Sequence, residues 1–288
     1  MTQPSALTGE LISVGGTKPQ FAAKAGAIWL AIIVAAAVLA PLSPYGVNAI
    51  SVQSAFLPVS LHHLLGTDDV GRDMLTRVLY GGRLSLLVAI VSALVGAALA
   101  IAVAAVEANK NKLLARSAQR INESFNAFPA QFALIVAYGI FAFGYSAGAG
   151  VIGALIMGTL IGAFSWPFMT PIIALRIIDF YGSPRMNSLI AIGAPRRHIF
   201  FRHLLPMVIA TIWPLLPYVA GDALVTEGTL SFLGFGFQPP IASWGTMMAT
   251  GESYIYQSPL LIIAPGIALA ATVASLLAIG EAARRANS

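Results

Sequence analysis

The stretch Leu84–Val106, LSLLVAIVSALVGAALAIAVAAV, decides the fold. It holds no Asp, Glu, Lys or Arg. It exceeds the roughly 20 apolar residues that carry a helix across about 30 Å of hydrocarbon. Barrel strands are short and alternate in polarity, and this stretch does neither. The rest of the chain has the same character. Of 288 residues, 58% are hydrophobic and 9% charged, where soluble domains run near a quarter charged. So few charges cannot cover so much apolar surface, which excludes an ordinary soluble enzyme and a disordered chain. The 27 glycines suit close packing of helices in lipid. With no cysteine, disulfides and thiolate metal sites are excluded.

Working outward, five further spans are expected. Ala25–Leu42 precedes the quoted stretch and ends at Pro41 and Pro44. Residues 124–175 carry no charge and have room for two spans, with the glycine-rich 144–150 as the turn. A fifth runs over about Leu204–Val225 and a sixth over about Ser258–Gly280. The expected fold is an all-α membrane protein of six transmembrane helices. With the N-terminus inside, 13 of the 16 basic residues fall on cytoplasmic segments, and only Arg72, Arg77 and Arg83 lie outside. Both termini are then cytoplasmic. The net charge of +5 reads as a topology signal rather than a nucleic-acid surface. A cleaved signal peptide is the rival reading of the first span, and an uncleaved anchor is favoured. The expected divisions are a tail over 1–24, the first span over 25–42, an outer loop over 43–83, a core over 84–281 and a tail over 282–288. Met1–Gln20 shows no helical period.

Two loops carry information. In the first, Asp68 and Arg72, and Asp73 and Arg77, are spaced as helical acid-to-base pairs behind an N-cap at Thr67 or Asp68. This predicts a short amphipathic helix, either a docking element or a solvated interfacial one. Adjacent His62 and His63 are poorly placed to share a metal, and no metal site is expected. The second loop, 170–206, holds a helix of about two turns from Pro184 to Gly193, with Met186, Leu189, Ile190 and Ile192. Those apolar residues need either this chain's own span ends or a partner's groove.

Three motifs now stand in order. They are Leu65-Gly66-Thr67-Asp68-Asp69-Val70-Gly71-Arg72-Asp73 with Arg77, Tyr80, Gly81, Arg83 and Ser85; Gly193-Ala194 with Phe201-Arg202-His203-Leu204-Leu205-Pro206; and Leu230-Ser231-Phe232-Leu233-Gly234-Phe235-Gly236-Phe237-Gln238-Pro239-Pro240 with Ser243-Trp244-Gly245. Together, over roughly Ala25–Glu281, they resemble the permease subunit of binding-protein-dependent ABC importers, in the dipeptide, oligopeptide and nickel branch. The resemblance implies type I importer architecture in the bacterial inner membrane. It implies a homologous second permease, two ATPase subunits that bind ATP and Mg, and an external binding protein. The cargo would be peptides, nickel or metal chelates, moved by alternating access. Membrane lipid is the remaining partner.

The resemblance also assigns residues. Gly66, Thr67, Asp68, Asp69, Gly71, Arg72, Asp73 and Arg77 form the outer-loop signature. Met186, Asn187, Ser188, Leu189, Ala191, Gly193, Ala194, Arg196 and Arg197 form the ATPase-coupling segment. The family usually has Glu-Ala-Ala where this chain has Asn187-Ser188-Leu189, so an ionic contact through that acid is lost. Arg196 and Arg197 face either ATPase acids or lipid headgroups. Gln131, Tyr138, Trp213, Asp222 and Glu227 are path candidates; for the first three helix packing is the stronger reading. Asp222 and Glu227 are placed at the outer water interface in preference to the cavity. Trp244 and Tyr254 are read as interfacial anchors, and Gly228–Gln257 as a scoop or gate. The chain has no Gly-Lys dipeptide and hence no phosphate-cradling loop of its own. It is read as a transport subunit and not an enzyme. A secondary transporter or channel without ATPases is the alternative; it predicts ionisable residues deep in several spans.

Overall fold

In the computed structural model, residues 19–144 and 150–286 are described. Most of the expected N-terminal tail and most of the turn over 144–150 lie outside them, while the tail's last residues, 19–24, already belong to the first helix.

The described residues are mostly helical, and one long irregular segment, 43–73, separates the first two helices. The helices are α1 (Pro19–Leu39), α2 (Met74–Glu107), α3 (Lys112–Ala127), α4 (Ala130–Gly144), α5 (Gly150–Tyr181), α6 (Pro184–Ala191), α7 (Arg196–Ile199), α8 (Leu205–Ile212), α9 (Leu216–Phe232), α10 (Trp244–Glu252) and α11 (Leu260–Ala286). A π turn over Phe200–Leu204 runs α7 into α8.

Four helices are long and apolar enough to cross a membrane, namely α1, α2, α5 and α11. The pair Arg196–Ile212 and Leu216–Phe232, bent by 44°, reaches the same length and apolar content when its two helices are taken together, and makes a fifth if it counts as one span. Pro214 sits in the break and Pro217 in the first turn of α9, where a missing N–H and a rigid ring interrupt the ladder. The 124–175 segment divides differently from expectation. Its first residues end α3, an amphipathic helix that begins at Lys112. α4 follows as a shorter apolar helix of 15 residues.

α2 and α5 form the tightest pair. Gly158 and Gly162, one helical turn apart on α5, bring the backbones together. A Cβ on Gly158 would lie 2.8 Å from Val91 Cβ, and one on Gly162 would lie 2.7 Å from the Ser92 carbonyl oxygen. This is the small-xxx-small device of membrane helices. Gly162 also neighbours Gly96, so both helices increase in residue number in the same direction and run parallel. Hence α6, which follows α5, sits at the opposite end of the bundle from the loop that precedes α2. α1 lies against α11 and α2, and the Trp29 indole donates to Thr272 Oγ1 at 3.1 Å.

The expected amphipathic helix over Thr67–Arg77 is not present. Residues 67–73 are a loop closed by a bridge between Thr67 and Asp73, with Gly66 and Gly71 at φ 71° and 79°. The Asp68 carboxylate accepts from the backbone N–H groups of Val70 and Arg72. Such local bonds compete with helix formation. α2 starts only at Met74, capped by Asp73, which accepts from the Thr76 N–H at 2.8 Å.

Candidate functional site

At the α2 N-terminal end, the loop is a buried polar knot. Thr67, Asp68, Arg72, Asp73 and Arg77 are all under 8% exposed. Arg72 Nε donates to Asp68 Oδ2 at 2.6 Å, and Arg77 Nε lies 3.6 Å from the same oxygen. Asp69 faces Arg72 at 3.6 Å from the rim. Thr67 Oγ1 donates to the Ser54 carbonyl and accepts from the Leu57 N–H. His63 Nδ1 meets Asp73 Oδ1 at 2.9 Å, whereas His62 is exposed. Gly66 and Gly71 are buried turns of the same knot. These side chains hold the entry to α2 in shape; what the surface offers a partner is the neighbouring Leu61, His62 and Leu64.

Beside this knot, α9 turns through Leu233–Ser243 into α10. Glu227 joins the pieces. It is fully buried, and it accepts from Ser85 Oγ of α2 and from Ser231 Oγ, each at 2.9 Å. Ser231 Oγ in turn accepts from the Phe237 N–H at 3.1 Å. Ser243 caps α10 in a reciprocal box with Thr246. Trp244 is 0% exposed and donates its indole N–H to the Val78 carbonyl at 3.0 Å. Glu227 is therefore not at a water interface, and Trp244 is not an interfacial anchor. Both expectations fail for one reason. α10 folds back against α2 and α9 and covers them. The sequence signal was present in the serines at 85, 231 and 243, but only their convergence gives it meaning. Tyr254 is half-buried, its ring 5.2 Å from Phe56.

The remaining path candidates separate. Asp222 is exposed on α9 with Val225 and Thr229, on the face opposite Ala223, Leu224, Glu227 and Leu230. Trp213 is 65% exposed at the bend. Gln131 is exposed near the start of α4, and Tyr138 is half-buried against the cluster holding Leu134 and Ala154.

At the other end, α6 is short but well capped. Ser183 Oγ accepts from the Met186 N–H. The helix ends with Gly193 N–H on Ile190 O at 2.9 Å and Ala194 N–H on Leu189 O at 3.0 Å, a Schellman pair. Gly193 takes φ 72° and has nothing within 4 Å of its Cβ position. Within this chain its need for glycine is conformational and not steric. The apolar residues split between the two expected fates. Met186, Leu189 and Ala194 pack on the core cluster shared by α2, α5 and α8, while Ile190 and Ile192 are 59% and 78% exposed. Asn187, Ser188, Ala191, Arg196 and Arg197 are exposed too. Arg185 reaches His203 Nδ1 at 3.0 Å, and Arg197 lies over the Phe201 ring.

Comparison with known proteins adds the family. Residues 73–287 match the model for the binding-protein-dependent transport system inner membrane component. A Brucella suis protein provisionally named a peptide transport system permease is 36% identical over 269 residues, covering 90% of this chain and 84% of that protein. A second Brucella suis protein, provisionally named a peptide permease, is 32% identical over 248 residues, covering 84% and 78%. The oligopeptide transport system permease protein OppC of Haemophilus influenzae is 29% identical over 225 residues, covering 78% and 70%.

Proposed function

The chain belongs to the family of binding-protein-dependent transport system inner membrane components, and from that premise we propose that it lines one half of an ATP-driven peptide import path. It is the permease component of a peptide ABC transport system and a multi-pass protein of the bacterial inner membrane. The proposal extends this to an assembly of a homologous second permease, two ATPase subunits holding ATP and Mg, and an external binding protein. Six spans cross the membrane with both termini in the cytoplasm, so that α6 faces the ATPases and α10 faces the binding protein. The core is 84–281, and the tails 1–24 and 282–288 are cytoplasmic. Peptides are favoured over nickel or metal chelates by the names the relatives carry.

The observation that carries the coupling role is the divided face of α6. Met186 and Leu189 root the helix on the core cluster to which α2, α5 and α8 contribute, and Ile190 and Ile192 stand free to enter another protein's cleft. A capped rod fixed at its base transmits a displacement to the spans it is fixed to. ATP-driven closure of the ATPases would thus favour one of two packings of the bundle, with no covalent step in this chain. Asn187 removes the ionic option the family usually has, so docking here rests on apolar contact and backbone shape. At the other end the exposed α9 stripe with Asp222 is the wall offered to cargo, with its acid suited to a peptide's amino group.

The test is purification with the products of neighbouring genes, then reconstitution. A second permease and two ATPase copies should co-purify, and peptide should accumulate against its gradient only with ATP hydrolysis. Uphill uptake with no nucleotide hydrolysed would instead identify a secondary transporter.

A further inference from the structure

A groove of about 590 Å³ lies between α1 and α2, bounded by Val47 and Asn48 above and by the first turn of α5 at one side. Val34, Val38, Leu87, Ile90 and Val151 make its walls apolar. Arg83 is the charged residue among those lining it. This side chain is exposed, and none of the ion pairs among the described residues includes it. Its guanidinium lies 5.5 Å from the Tyr80 ring centroid, an aromatic contact of the kind found at membrane interfaces. The helices on either side are membrane spans, so the groove opens sideways between them. Arg83 sits nine residues into α2, about 14 Å from its first residue at the α-helical rise. From there a long side chain can extend its charge to headgroup level while its stem stays in hydrocarbon. Farther along the same face Ile90 and Leu94 are 55% and 59% exposed.

We propose that this groove is a phospholipid site, with Arg83 holding the phosphodiester and an acyl chain lying along Leu87 and Ile90. The order of polarity along the groove, cation first and hydrocarbon beyond, is that of a phospholipid in the adjoining leaflet. Charge complementarity decides against a second protein chain as the occupant. To neutralise Arg83 and fill the groove, such a chain would need a carboxylate at headgroup level joined to an apolar segment lying along Leu87 and Ile90. A phospholipid brings its phosphate at that depth with the chain already attached. The site depends on the spans alone and stands apart from the ATP-coupled reading.

The complex is placed in phosphatidylethanolamine–phosphatidylglycerol vesicles containing a phosphatidylglycerol with a photoreactive diazirine on its acyl chain. After irradiation, adducts should map to the peptides carrying Leu87 and Ile90. Arg83→Gln should lower that labelling about fivefold, the worth of one cation near an anionic surface, and Arg83→Lys should retain most of it. Leu87→Trp, which narrows the groove beside Ile90 and leaves the cation in place, should also lower labelling there, so the test survives if Arg83→Gln fails to fold. Equal labelling of wild type, Arg83→Gln and Leu87→Trp would overturn the site. So would Ile90→Cys, in this cysteine-free chain, cross-linking to another subunit in the assembled complex.

Discussion

Gly193→Val tests the coupling role of α6 most directly. Gly193 stands at φ 72° with empty space around its Cβ position, so valine meets no steric obstacle and the whole effect is conformational. Holding an L residue in the left-handed region costs about 1–2 kcal/mol, and more for a β-branched one. The alternative is to leave that region and lose the two C-terminal bonds, Gly193 to Ile190 and Ala194 to Leu189, at about 0.5–1.5 kcal/mol each. Either route weakens the helix end by about 2 kcal/mol, which is roughly thirtyfold in the population of the capped form. The spans do not depend on it, so the chain should still insert and assemble. In reconstituted complexes, peptide uptake should fall by about an order of magnitude while ATP hydrolysis persists. Gly193→Asn should restore most of the uptake, because asparagine tolerates the left-handed region. Unchanged uptake in Gly193→Val would refute the coupling assignment. Equal loss in the Val and Asn variants would refute the conformational reasoning.

Glu227→Ala should destabilise the chain by about 2–6 kcal/mol, since the Ser85 and Ser231 hydroxyls lose their acceptor in a dry site; Glu227→Gln keeps an acceptor and should lose less than half of that in denaturant unfolding from micelles. Gly162→Ala places a Cβ 2.7 Å from the Ser92 carbonyl and should cost about 1–3 kcal/mol by forcing α5 from α2, seen as a lower yield of monodisperse complex. Asp222→Asn should raise the KM for peptides with a free amino group about tenfold, the worth of a charge-assisted bond, and leave N-acetylated peptides unaffected. If both peptide types are taken up as before, Asp222 has no part in the path.

The spans were legible because lipid imposes one demand on every such segment, a run of about 20 apolar residues with all backbone groups bonded within it. Leu84–Val106 met it without reference to any other part of the chain, and so did the runs that became α1, α5 and α11. The bend in the fifth span was legible from Pro214 and Pro217, because proline acts on its own backbone. The α6 boundaries were legible from Pro184 and Gly193 for the same local reason. The absence of charge did not resolve the division of 124–175, because its first four residues are the uncharged last turn of the amphipathic α3 and run without a break in charge into the apolar α4.

The polar residues were misread wherever their partners lie far along the chain. Asp68 and Arg72 have helical spacing, and they do pair, but within a loop whose shape is set by Gly66, Gly71 and contacts back to Ser51–Leu57. Glu227 looks like a wet acid at a span end until Ser85, 142 positions earlier, comes to meet it. Composition and local periodicity determined that this chain crosses a membrane and where its helices begin to bend, because those properties belong to short stretches. Only the tertiary structure decided which charges are buried, which apolar side chains stand free and which face of α9 carries an open acid, because burial is a property of pairs of helices.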